Sequence, residues 1–158
     1  MKFWSKPVEA PVTLNGERHK AEYTDDGRLF ITFRSIERDH KRVKKMRKLG
    51  GEKKWYSEGW VAWVGTYDDL KNGTEGQYRI KLAHIYTDNQ KQPEYYAEAD
   101  TGYCGNVVLP DGTIMTSTYG KFSPYEKTAD SKKLKTYICS KRINLKDTDA
   151  LLDFLNKQ

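Results

Sequence analysis

A chain of 158 residues can hold one globular domain with its own core, so size alone requires no partner. It is 13% aromatic but only 37% hydrophobic, with 11 Tyr and 4 Trp, which favours half-buried pleated surfaces and polar binding clefts over a leucine-rich helical bundle. The net charge of +6 is concentrated in residues 38–54, where nine Lys or Arg stand against Asp39 and Glu52, so the remainder is close to neutral and the whole is not a DNA-coating surface.

Taken in chain order, Arg18 to Tyr23 and Arg28 to Arg34 read as a hairpin. Leu29, Ile31 and Phe33 alternate with Phe30, Thr32 and Arg34, and Asp25-Asp26-Gly27 supplies turn residues that tolerate positive φ. The basic stretch 38–54 follows as an insertion loop, either a solvated excursion or an anion-binding patch. Further strands are expected over Trp60 to Thr66, Tyr78 to Tyr86, Gly105 to Leu109, Thr113 to Tyr119 and Thr136 to Leu145, with a second tight turn at Pro110-Asp111-Gly112. A helix is expected only at the end, capped by Asp147 or Thr148, with Leu151, Leu152, Phe154 and Leu155 on one side. Strands with no helices between them exclude a βαβ architecture and leave sandwich, barrel or propeller.

Cys104 and Cys139 are the two cysteines; they form neither a CxxC motif nor a cluster with histidine at metal-ligand spacing, so no zinc or thioredoxin-like redox centre is expected. They can pair if their strands are neighbours or stay as two free thiols. No apolar run approaches the roughly 18 residues that cross a bilayer, and no signal-peptide core follows Met1. His19 and His84 lack metal-ligand spacing and read as structural or solvated, and Trp60 and Trp63 read as packing residues rather than a sugar platform.

Two stretches carry a family resemblance. One runs from Asn15-Gly16-Glu17-Arg18-His19-Lys20 through Asp26-Gly27-Arg28-Leu29 to Arg34. The other is Gly102-Tyr103-Cys104-Gly105-Asn106-Val107-Val108-Leu109-Pro110-Asp111-Gly112-Thr113. In order and separation they resemble the sialidase (neuraminidase) superfamily, and Phe3 to Val8 looks like the tail of an Asp-box. The resemblance implies an all-β fold made of antiparallel blades of a sialidase-like β-propeller. Residues 1–158 would form a single domain, the carboxy-terminal two to three blades of a six-bladed ring, with a short C-terminal helix. The missing amino-terminal half of the propeller is an implied partner. A secreted or periplasmic setting is implied too, although this chain carries no signal peptide.

The same resemblance implies a retaining glycoside hydrolase acting on sialic acid or a related carboxylated sugar, with no cofactor. A carboxylated substrate needs guanidinium forks, and by position these are Arg34 and Arg79. Its charge would repel an anionic nucleophile, and sialidases are exceptions that use Tyr, here Tyr103. A phenol with a pKa near 10 needs a base, here Glu17. Glu22 is the fallback, placed on the opposite face by strand alternation. No residue matches the family's acid/base Asp, so the isolated chain is expected not to turn over substrate. A non-catalytic propeller module that binds glycan or protein is the alternative. Each residue also has a structural reading: Arg34 as a surface charge, Arg79 as a partner of Glu75, Tyr103 as a packed strand residue, and Glu17 as a turn-side carboxylate.

Overall fold

The computed structural model describes residues 6–36, 57, 59–86, 100–129 and 133–158. The basic stretch 38–54 and the aromatic pair Phe3-Trp4 lie outside the described residues. The fold is all-β and antiparallel. A four-stranded sheet holds β1 (Gly16–Tyr23), β2 (Leu29–Ser35), β3 (Trp60–Gly65) and β4 (Tyr78–Ala83) in that order, and a three-stranded sheet holds β5 (Gly102–Val108), β6 (Ile114–Gly120) and β7 (Tyr137–Ile143). Both are meanders, each strand pairing with the next in sequence. Two α-helices accompany them among the described residues, α1 (Tyr67–Asn72) and α2 (Leu145–Leu155).

Alternation along β2 partitions the core. Phe30 faces one way, with Trp60, Ala62 and Val64 of β3 and Leu82 of β4, and this face packs against Cys104 and Ile114 of the second sheet and Leu145 of α2. Leu29, Ile31 and Phe33 face the other way, with Val61 and Trp63, under Leu14 and Leu70. β2 and β3 are therefore buried on both faces, which is why Trp-Val-Ala-Trp-Val lacks polar alternation. Trp60 and Trp63 are fully buried, as packing residues rather than a sugar platform.

The two sheets meet through their first strands, β1 and β5. Their hairpins correspond position by position. Asp26-Gly27 matches Asp111-Gly112, both glycines have positive φ (83° and 78°), and Asp26 and Asp111 each accept from the backbone N–H two residues on (3.2 and 2.9 Å). Both hairpins turn at the same end of the molecule, since Asp25 and Gly112 lie side by side. Asn106 staples them. Its side-chain oxygen accepts from the hydroxyls of Thr32 (2.9 Å) and Thr116 (2.7 Å), and its amide donates to the Lys20 carbonyl at 2.8 Å.

At the turn end the C-terminal helix is latched down. Arg28 bonds both oxygens of Asp149 (2.9 Å each) and also Asp26, while the Tyr78 hydroxyl donates to Asp149 at 2.6 Å. The Arg28 hydrogen bonds hold both carboxyls below the ordinary carboxylate range and keep the guanidinium charged.

Two local expectations are corrected, and the cysteines take one of the two states left open. The C-terminal helix is capped by Asn144, whose side chain accepts from the Lys146 N–H (3.0 Å), and it begins before Asp147 and Thr148. A helix also stands between β3 and β4. Thr66 and Asp69 form a reciprocal capping box at its start and Gly73 closes it at φ 68°, a Thr-x-x-Asp signal present in the sequence. Cys104 and Cys139 are free thiols, on β5 and β7 with β6 between them. Strands two places apart are separated by about 9–10 Å, beyond disulfide reach.

Candidate functional site

The ends of β1 and β5 opposite the turns share an irregularity. Pairing slips between Glu17 and Lys20 on β1 and between Gly102 and Gly105 on β5. Each slip inserts an extra residue and re-aims its side chain. Within each bulge one residue adopts left-handed φ: Arg18 at 63° and Tyr103 at 54°, the two non-glycine residues with positive φ among the described residues. Such a conformation costs a bulky side chain on the order of 1–3 kcal/mol, which the surrounding pairing must offset. Arg18 and Tyr103 occupy corresponding positions of the two hairpins, and they meet. The Arg18 guanidinium carbon lies 3.9 Å from the centre of the Tyr103 ring.

Around this contact the other groups assemble. Tyr103 is 70% exposed and stacks beside Tyr119 of β6, ring centres 6.4 Å apart and planes 18° from parallel. The Tyr119 hydroxyl donates to Asp100 at 3.1 Å, and burial together with that acidic partner raises its pKa. Glu17 and Arg34 are direct cross-strand partners and form an ion pair. Arg34, whose side chain is 12% exposed, also reaches the Thr101 carbonyl at 3.4 Å, two residues before Tyr103. Thr101 is fully buried and its hydroxyl donates to the Tyr119 carbonyl at 2.5 Å, fixing the entry to β5.

Of the four residues expected to form a site, Glu17, Arg34 and Tyr103 therefore gather at one end of the β1–β5 junction. Arg79 does not join them. It stands opposite Trp63 on β4, and its guanidinium lies 5.7 Å from the Phe33 ring, on the sheet face that carries Ile31 and Phe33. Arg34 belongs to the other face, with Phe30 and Thr32. Glu75, the acid weighed as a partner for Arg79, instead accepts from the backbone N–H groups of Val12 (3.0 Å) and Thr13 (3.3 Å).

The bulge also corrects the placement of Glu22. Glu17, Lys20 and Glu22 pair with Arg34, Thr32 and Phe30, so the inserted residue reverses the alternation and puts Glu22 on the same face as Glu17. His19 is structural, its Nε2 2.9 Å from the Leu14 carbonyl oxygen and its ring stacked on Phe33. Among the described residues no group of His, Cys, Asp and Glu could hold a metal ion, and no helix is long and apolar enough to cross a membrane.

Sequence reasoning missed Arg18, Tyr119 and Asp100. Alignment of the two Asp-Gly turns marks Arg18 only as the counterpart of Tyr103 in position, and their contact was not signalled. Comparison with known proteins found no matching family model, curated protein or solved structure.

Proposed function

We propose that this chain is part of a sialidase-like glycoside hydrolase acting on a carboxylated sugar, with its site where β1 and β5 meet. The observation that carries the reading is the gathering of Glu17, Arg34 and Tyr103 at one end of that junction, although they come from three strands in two sheets. Tyr103 is presented to solvent by its bulge, as an attacking phenol must be. A tyrosine nucleophile suits an anionic substrate because the attacking group approaches without the like charge of a carboxylate. Glu17 and Arg34 hold each other, and the Arg34 contact with Thr101 ties that pair to the strand that carries Tyr103. Arg79 has no part in this site.

The test is hydrolysis of a fluorogenic sialoside by the full-length protein. Tyr103→Phe is expected to abolish turnover while leaving the product sugar bound. Turnover at the wild-type rate in that variant would show that Tyr103 is not the nucleophile.

One observation favours a second reading, a non-catalytic propeller module that binds a carboxylated glycan. The Glu17 carboxylate is engaged by Arg34, and the Tyr103 hydroxyl has no hydrogen-bond partner among the described residues. Binding of the sugar with no hydrolysis by a complete propeller selects this reading.

A further inference from the structure

We infer that β7 is a docking edge for an extended acidic peptide, which adds to the three-stranded sheet as a further strand. β7 is the outer strand of that sheet, paired with β6 on one side, and among the described residues no strand or bridge pairs with its other side. Its residues pair with β6 without a slip, so alternate N–H and C=O groups form a straight, unpaired row along the free edge. Proteins blunt such an edge with a bulge, a proline or charges along its length. β7 has neither bulge nor proline, and its two charges sit together near one end.

The edge differs along its length. Ile138 is 77% exposed near the start, whereas Lys141 and Arg142, both exposed, stand near the end and on opposite faces of the sheet by strand alternation. Neither cation makes an ion pair or a side-chain hydrogen bond among the described residues. Asp111 feels the charge of Arg142, but its carboxylate accepts from the Thr113 N–H at 2.9 Å. The flanking chain adds to the positive charge, since from Lys121 to Lys146 eight Lys or Arg stand against Glu126 and Asp130.

These features select the occupant. A second copy of β7 would bring its own Lys141 and Arg142 to the edge, and like charges across a strand pair repel. Nucleic acid would answer the charge, but its phosphates only accept hydrogen bonds and would leave the β7 carbonyls unpaired. A peptide strand supplies donors and acceptors alike, and two adjacent acidic side chains, one on each face, would meet Lys141 and Arg142. In an antiparallel guest the residue opposite Arg142 comes four places before the one opposite Ile138. The fitting pattern is therefore two acids, two intervening residues and an apolar residue. This inference does not depend on the sugar reading above.

The experiment is an NMR titration of the isotope-labelled 158-residue chain with a capped synthetic peptide of that pattern, with valine as the apolar residue. Amide shifts are expected to move along Tyr137 to Ile143. Lys141→Gln with Arg142→Gln should weaken binding by about 2- to 30-fold, the loss of two exposed pairs, while Lys71→Gln with Lys157→Gln, which removes the same charge elsewhere, should not. A peptide with lysines in place of its acids should bind Lys141→Glu with Arg142→Glu and not wild type. N-methylation of one alternate set of peptide amides should abolish binding and of the other set should not, because one edge of the added strand faces β7. Thermal unfolding verifies that each variant is folded. No binding at about 1 mM peptide, shifts confined to other strands, or indifference to both methylation patterns overturns the inference. Tighter binding of an oligothymidylate than of the peptide at β7 also overturns it, in favour of nucleic acid.

Discussion

Replacing Asn106 by alanine tests how the two hairpins are held in register. The amide makes three hydrogen bonds: it accepts from Thr32 and Thr116 and donates to the Lys20 carbonyl. Both threonines are fully buried. Each bond contributes about 1 kcal/mol net, and a buried hydroxyl left without a partner costs about 1–3 kcal/mol. Thr32 can fall back on the Lys20 carbonyl, at 3.5 Å, so a loss of about 2–4 kcal/mol is expected. With a urea slope of about 2 kcal/mol/M, the unfolding midpoint should drop by about 1–2 M. Adding Thr32→Val and Thr116→Val to Asn106→Leu removes the stranded hydroxyls together with the amide and should recover much of the loss, because the buried polar partners are deleted as a set and the Lys20 carbonyl, which loses its side-chain donors, belongs to an exposed residue. A midpoint for Asn106→Ala within about 0.2 M of wild type would refute the view that this amide joins the sheets.

Two further predictions concern the scaffold. Acid should loosen the C-terminal helix. The Asp149 carboxyl has its pKa lowered in the fold, chiefly by the Arg28 hydrogen bond, so its contribution is complete above the ordinary carboxylate pKa near 4 and is lost as pH falls through the lowered folded value. Asp149→Asn should therefore flatten the acid limb of stability measured by denaturation at successive pH values, and an unchanged acid limb would count against the latch. At Gly76 a Cβ would stand 2.5 Å from the Trp63 ring and from the Val64 carbonyl oxygen, neither of which can swing away. Gly76→Ala should lower stability by about 1–3 kcal/mol in urea, whereas a neutral result would mean that the Trp63 pocket is loose.

Much of the scaffold was legible because its signals are local. Alternation in Leu29 to Arg34 separated the two faces of β2, and each Asp-Gly pair marked a turn whose glycine takes the positive φ that other residues resist. The pairing of Glu17 with Arg34 was not legible in this way, since the register set at the turn would put Glu17 opposite Ser35 and the bulge between Glu17 and Lys20 moves it to Arg34. Even the overlooked helix between β3 and β4 had its signature in Thr66 and Asp69.

The bulges were not legible in this way. A single inserted residue in β1 moved Glu22 to the face of Glu17, and strict alternation carries no information about where pairing slips. Arg79 shows the same limit from the other side: its residue type fits a carboxylate fork, but register across β3 turns it toward Phe33. What the sequence determined by itself was therefore the antiparallel all-β class, the two Asp-Gly hairpins and the chemistry available along them. Which groups share a site was decided by tertiary structure, because the meeting of Arg18 with Tyr103 depends on two sheets packing through their first strands, and no short-range pattern encodes that distance.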